Sequence, residues 1–190
     1  MAGKKVIITG VPGVGKTTVV NEALAKLKEE DIIYQSLNFG TFMFEIAQKE
    51  GYAKDRDEMR RLEKDVQKRL QQFAAKAIAQ IQGNVIIDTH ASVKTPKGYL
   101  PGLPEWVLRE IMPDIIILVE TDEDQILLRR LSDETRVRDM EGSGGIAEHQ
   151  QFNRSFGAAY AMLTGCTVKI VHNPDFLLER AVTDMAAVLR

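Results

Sequence analysis

The sequence predicts an α/β protein in which parallel strands alternate with helices, and three observations carry that prediction. An apolar run at residues 5–9 leads into a glycine-rich loop and then into a stretch with helical spacing. Further short apolar runs, rich in Ile and Val, recur at 85–88, 115–120 and 166–171, the lengths expected of buried strands. Amphipathic segments lie between them, and a strand–helix–strand crossover makes its two strands parallel. At 190 residues the chain has room for one domain with a real core, the organisation expected over residues 1–190.

Composition narrows the function classes. A formal charge of −2 and a pI near 6.0 argue against a protein that coats nucleic acid or an anionic membrane, so no stable nucleic-acid binding is expected. Cys166 is the single cysteine, which rules out an intrachain disulfide and suits a small core residue in a reducing interior. Residues 1–8 imitate the start of a signal peptide, but Lys16 and the glycines interrupt the apolar part. The longest apolar run, 115–119, falls far short of a membrane span, and the expected location is the cytoplasm.

Gly10-Val11-Pro12-Gly13-Val14-Gly15-Lys16-Thr17-Thr18 fits the spacing G-x-x-x-x-G-K-[ST]. Glycines let the backbone turn its N–H groups inward around a polyphosphate, Lys16 sets an ammonium beside the terminal phosphates, and the Thr17 hydroxyl is a ligand for Mg²⁺. The helix expected over 17–30 holds those phosphates at its positive end, while Val19, Val20, Ala23, Leu24 and Leu27 form a stripe facing a sheet. A second strand is expected at 32–37 and a helix at 41–50, opened by Gly40. In that helix Phe42, Met43, Phe44 and Ile46 read either as core packing or as a pocket for a flat nucleobase. The dense mixed charge of 55–69 suits a solvated helix face, and a helix over 65–81 brings the chain back. Residues 40–82 exceed what a crossover needs and are expected to form a helical insert able to move.

Val85-Ile86-Ile87-Asp88 reads as a buried strand whose carboxyl end opens on a site. Asp88 is then the partner of Thr17 for Mg²⁺, the other reading being a carboxylate that caps the strand. Asp114 precedes its strand and belongs at the opposite end of the sheet. Residues 90–104 read as a proline- and glycine-rich loop with Lys94, Lys97 and Tyr99 near the ligand edge. A helix at 105–111, a strand at 115–120 and a helix at 122–131 lead into residues 132–146, polar and glycine-hinged, expected as a flexible lid. Arg129, Arg130, Arg136 and Arg138 crowd this region among Asp133, Glu134 and Asp139. In isolation that is a salt-bridged surface; beside a phosphate loop the guanidinium groups suit the charge of a transferring phosphoryl group. Lys16, Arg129, Arg136 and Arg138 are therefore the catalytic candidates. A helix at 147–163, a strand at 166–171 and a helix at 176–189 close the chain, and His149, His172 and Cys166 lack transition-metal spacing.

With these pieces in place, the chain resembles the nucleoside monophosphate kinases, and among them the short, archaeal-type adenylate kinases. Beside the phosphate loop, the resemblance rests on 51–60, on Asp88-Thr89-His90 with 95–104, and on Thr135-Arg136-Val137-Arg138. It implies a P-loop, three-layer α/β/α fold with a parallel sheet of order 2-3-1-4-5, reversible transfer ATP + AMP ⇌ 2 ADP with Mg²⁺, and a homotrimer. Two departures from the bacterial-type pattern bear on the AMP site: Phe44 and Glu45 stand where an arginine is expected, and Thr89-His90-Ala91-Ser92 replaces Gly-Phe-Pro-Arg. Arg56, Arg60 and Lys94 become the candidate cations for the AMP phosphate. The rivals are another P-loop kinase, of nucleotides or small metabolites, and an adenylate-kinase-like ATPase acting as an assembly factor. A GTP-type switch is disfavoured because Val171-His172-Asn173-Pro174-Asp175 lacks the lysine of a base reader.

Overall fold

Strands that are apolar on both faces must be covered on both faces, and the order of elements does this. In the computed structural model, which describes residues 3–132 and 142–190, the elements run β1 (Lys5–Thr9), α1 (Lys16–Glu29), β2 (Tyr34–Asn38), α2 (Phe39–Lys49), α3 (Arg56–Arg61), α4 (Lys64–Ala79), β3 (Asn84–Asp88), β4 (Ser92–Thr95), β5 (Gly98–Pro101), α5 (Glu105–Ile111), β6 (Ile115–Glu120), α6 (Glu123–Ser132), α7 (Ser143–Thr164), β7 (Thr167–His172) and α8 (Leu178–Leu189). Five strands pair in parallel in the order β2-β3-β1-β6-β7. This is the expected 2-3-1-4-5 once the separate β4–β5 hairpin is set aside.

Side chains alternate across each central strand. Val6, Ile8, Ile86, Ile117 and Val119 pack with Val19, Ala23 and Leu27 of α1 and Val182, Met185 and Leu189 of α8. Ile7, Val85, Ile87, Ile116 and Leu118 enter a second core with Ala74 and Ile78 of α4, Val107, Leu108 and Ile111 of α5 and Tyr160 of α7. Each large aliphatic side chain so buried contributes about 1.5–3 kcal/mol. The carboxyl ends of β1 and β3 are thereby held in register, Ile8 opposite Asp88.

The insert has a small core of its own in Ala47, Ala53, Met59 and Leu70. Of the apolar residues in α2, Phe42, Met43 and Ile46 pack against the second large core and Phe44 against the small one, which decides for core packing over a base pocket. Asp55 caps α3 by accepting from Glu58 N at 2.7 Å, and the extended backbone at Leu62 and Glu63 separates α3 from α4.

Four local expectations need correction. Residues 90–104 are not simply a loop: β4 and β5 pair antiparallel, Val93 opposite Leu100 and Lys94 opposite Tyr99, across a turn in which Gly98 has φ 115°. The second strand begins at Tyr34 because Ile32 N still bonds Leu27 O at 2.9 Å, finishing the turn after α1. Asn38 ends that strand and caps α2, so this helix starts before Thr41. Ser143, Gly144 and Gly145 form the first turn of α7, with Gly145 N and Ile146 N bonded to Gly142 O, so part of the anticipated lid is helix. Residues 133–141 of the anticipated lid lie outside the described residues.

Tyr160 latches the hairpin to the core. Its hydroxyl donates to Ala91 O at 2.6 Å and accepts from Leu103 N at 3.3 Å, at either end of the excursion. Burial pushes this phenol up to about 12, so the donor proton is kept across the physiological range. Tyr160→Phe is expected to retain the ring packing but lower stability by roughly 1–3 kcal/mol, the range for leaving a buried donor unpartnered. Urea denaturation checks this; a midpoint equal to that of the unsubstituted protein would contradict the latch.

Candidate active site

The phosphate loop is shaped by three glycines that nothing larger can replace. Gly13 and Gly15 take left-handed backbone, φ 93° and 84°, and a Cβ on Gly10 would lie 2.7 Å from Val119 O. Val14 N closes a turn onto Val11 O at 3.2 Å, and α1 begins directly at Lys16. Residues 10–18 line a cleft of about 600 Å³ together with Asn38, Asp88, His90 and Arg129. The cleft opens at the carboxyl edge of the sheet, where Asp88 ends β3 beside the end of β1. Asp114 sits at the other end, accepting from Lys5 N at 2.7 Å.

Lys16 donates its ammonium to the Asp88 carboxylate, and the pair is part-buried. Such an ion pair keeps both charges compensated at the floor of a cleft. Thr17 and Asp88 offer hard oxygen donors on the same cleft, which suits Mg²⁺, an ion that takes one or two protein oxygens when phosphates and waters complete its shell. The expected loop residues Gly10, Val11, Pro12, Gly13, Val14, Gly15, Lys16, Thr17 and Thr18 and the expected Asp88 are thus brought together.

The arginines and lysines divide differently. Arg129 lines the cleft, but its guanidinium bonds Val14 O and Asn173 O at 3.0 Å each and Asp175 at 2.5 Å. Arg130 donates to Pro12 O at 2.7 Å. Both grip the outside of the phosphate loop. Arg136 and Arg138 lie outside the described residues. Of the AMP-phosphate candidates, Arg56 bonds Thr41 Oγ1 at 2.7 Å and lies over the Phe44 ring, Arg60 pairs with Asp57 at 2.9 Å, and Lys94 lies over Tyr99. None of the three lines the cleft.

Asn38 and His90 are lining residues that sequence reasoning did not assign. Asn38 carries a recognisable helix-cap signal, and His90 follows Asp88 at the spacing that returns a side chain to the same side of the strand end. Asn173 and Asp175, which hold the loop and Arg129, give no local signal.

The full chain aligns with curated adenylate kinases. That of Methanoculleus marisnigri is 67% identical over 192 residues, covering all of both chains; that of Methanocaldococcus jannaschii is 55% identical with the same coverage; that of Methanothermobacter thermautotrophicus is 48% identical over 188 residues, covering 98% of this chain and 99% of its own. The chain belongs to the adenylate kinase family. Residues 9–146 also match a family described as an AAA domain. Among solved structures, a shikimate kinase from Acinetobacter baumannii in complex with shikimate superposes with a TM-score of 0.56 at 15% identity, covering 98% of this chain and 93% of that one. A shikimate kinase from Bacteroides thetaiotaomicron gives 0.53 at 13%, covering 98% of each. At such identities the likeness is one of fold. Among the described residues no helix is long and apolar enough to cross a membrane.

His90 reports on the electrostatics of this adenylate kinase cleft. Protein walls strip water from its imidazole and hold it below the ordinary histidine value, the Lys16 ammonium pushes the same way, and Asp88 opposes them. The folded protein therefore resists a proton that the unfolded chain accepts, and His90 lowers stability as pH falls below the unfolded value near 6.5. In Lys16→Ala the His90 pKa is expected to rise without reaching the ordinary value, because the desolvation remains. Imidazole chemical shifts followed through a pH titration check this; an unmoved midpoint would mean that the two groups do not interact.

Proposed function

We propose that the protein transfers the γ-phosphoryl group of ATP to AMP, reversibly and with Mg²⁺. The observation that carries the reading is a cleft formed by the glycine-rich loop and holding Lys16, Thr17 and Asp88, in a chain that aligns end to end with adenylate kinases. Inward loop amides and Lys16 hold the donor phosphates, and Lys16 exchanges its Asp88 partner for phosphate oxygens as ATP enters. Thr17 and Asp88 hold Mg²⁺, which when bound shields the charge of the terminal phosphates. The acceptor is an ionised phosphate and requires no general base.

Arg136 and Arg138 are assigned to the transferring group, where charge must be placed over its oxygens. Arg56, Arg60 and Lys94 are assigned to the AMP phosphate; Arg56 and Arg60 reach it only if the helical insert closes, a motion that also excludes water and so prevents hydrolysis. The reading extends to a homotrimer in the cytoplasm, which sedimentation and fractionation would test.

The deciding experiment offers a panel of nucleoside monophosphates with Mg·ATP and follows ADP. AMP is expected as the preferred acceptor; turnover with a small metabolite in place of any monophosphate would overturn the reading. Lys16→Ala is expected to raise the barrier by at least ~3 kcal/mol while helical circular dichroism stays unchanged. Arg136→Ala or Arg138→Ala is expected to lower kcat by on the order of a hundredfold with a much smaller loss of ATP binding, and Arg→Lys should not rescue it. Changes below about twofold in both alanine variants would mark exposed surface ion pairs instead.

A further inference from the structure

The loop between β7 and α8 holds the phosphate loop from behind. Asn173 is buried, and its Nδ2 donates to Val14 O at 2.9 Å; Arg129 Nη1 donates to the same oxygen at 3.0 Å. Arg129 is held in turn by Asp175, from Nε at 2.8 Å and Nη2 at 2.5 Å, and by Asn173 O at 3.0 Å. The holding residues are themselves anchored. Asn173 N donates to Glu120 O at 2.8 Å at the end of β6, and Asp175 N donates to Gln125 Oε1 of α6 at 2.8 Å. A Cβ on Gly15 would stand 2.5 Å from Asn173 Nδ2, so the amide packs directly on the loop backbone.

Neither Asn173 nor Asp175 lines the cleft. In a trans peptide the C=O and the following N–H point in opposite directions. A Val14 carbonyl turned back toward Asn173 therefore turns the Gly15 N–H forward, into the cradle. Arg130 acts on the neighbouring Pro12 carbonyl in the same sense. We propose that Asn173 and Asp175 are positioning residues, which fix the Val14–Gly15 peptide and thereby set the affinity for the donor phosphates without touching the nucleotide. In this scheme Arg129 is a brace on the loop rather than a clamp on the moving phosphoryl group. The inference rests on the reading of the cleft as the ATP phosphate site.

Calorimetric binding of Mg·ATP and of AMP, measured separately on the unsubstituted protein, Asn173→Ala and Asp175→Asn, tests it. Asn173→Ala is expected to weaken ATP binding by about tenfold, a typical net value for one lost hydrogen bond, with AMP binding changed by less than about twofold. The nucleotide-free melting temperature should stay within a few degrees, and Asp175→Asn should show the same selective loss. Equal weakening of ATP and AMP, or unchanged ATP binding in both variants, would overturn the proposal. Should Asn173→Ala fail to fold, the half-exposed Asp175 supplies the decision through the same selective readout. Failure of the unsubstituted protein to bind ATP would instead remove the functional reading on which the inference rests.

Discussion

A cradle made of backbone amides imposes a constraint that side chains cannot evade: each N–H turned toward a phosphate sends a carbonyl the other way, and a carbonyl facing protein needs a donor. Around residues 10–15 those donors come from distant elements, Arg129 and Arg130 at the end of α6 and Asn173 after β7. The end of β6 carries the loop that supplies Asn173, and its own Glu120 is buried against Arg154 of α7. Satisfying the back of one short loop thus draws in three segments distant from it in the sequence.

The sheet supplies the rigid edge against which this arrangement stands. β1 has a paired strand on either side, β3 and β6, and a hydrophobic core on either face, so the point at which the chain leaves Thr9 has little freedom. Thr9 Oγ1 accepts from Ala91 N at 2.8 Å, which ties the strand leading to the phosphate loop to the segment that follows Asp88 and His90. Cleft residues from four parts of the sequence are consequently brought together by the packing of the sheet.

How much of this was legible depended on range. The central strands were readable because burial on both faces demands unbroken runs such as Val85-Ile86-Ile87, and the loop was readable because its chemistry is local: glycines, then Lys16, then Thr17. The β4–β5 hairpin escaped notice because its strands are four residues each, and Pro96, Pro101 and Pro104 read as loop. Arg129 lines the cleft, yet its partners were not foreseeable from the sequence. Asp175 lies 46 positions away, and the bond from Asn173 to Val14 spans 159. Composition and periodicity carry no information about contacts of that separation, which follow only from the strand order.

That separation also sets an order on biosynthesis. The residues that form the phosphate cradle leave a ribosome long before the residues that hold its shape, since the bond from Asn173 to Val14 spans 159 positions. A nascent chain cut before residue 173 carries the whole glycine-rich motif but lacks Asn173 and Asp175, while Arg129 is without its anchor. Parallel sheets built from distant segments assemble late for the same entropic reason, since long loops must close before the pairing repays them. The finished shape of the cradle therefore waits on residues 173–175, and a growing chain that has not reached them carries the motif without its support.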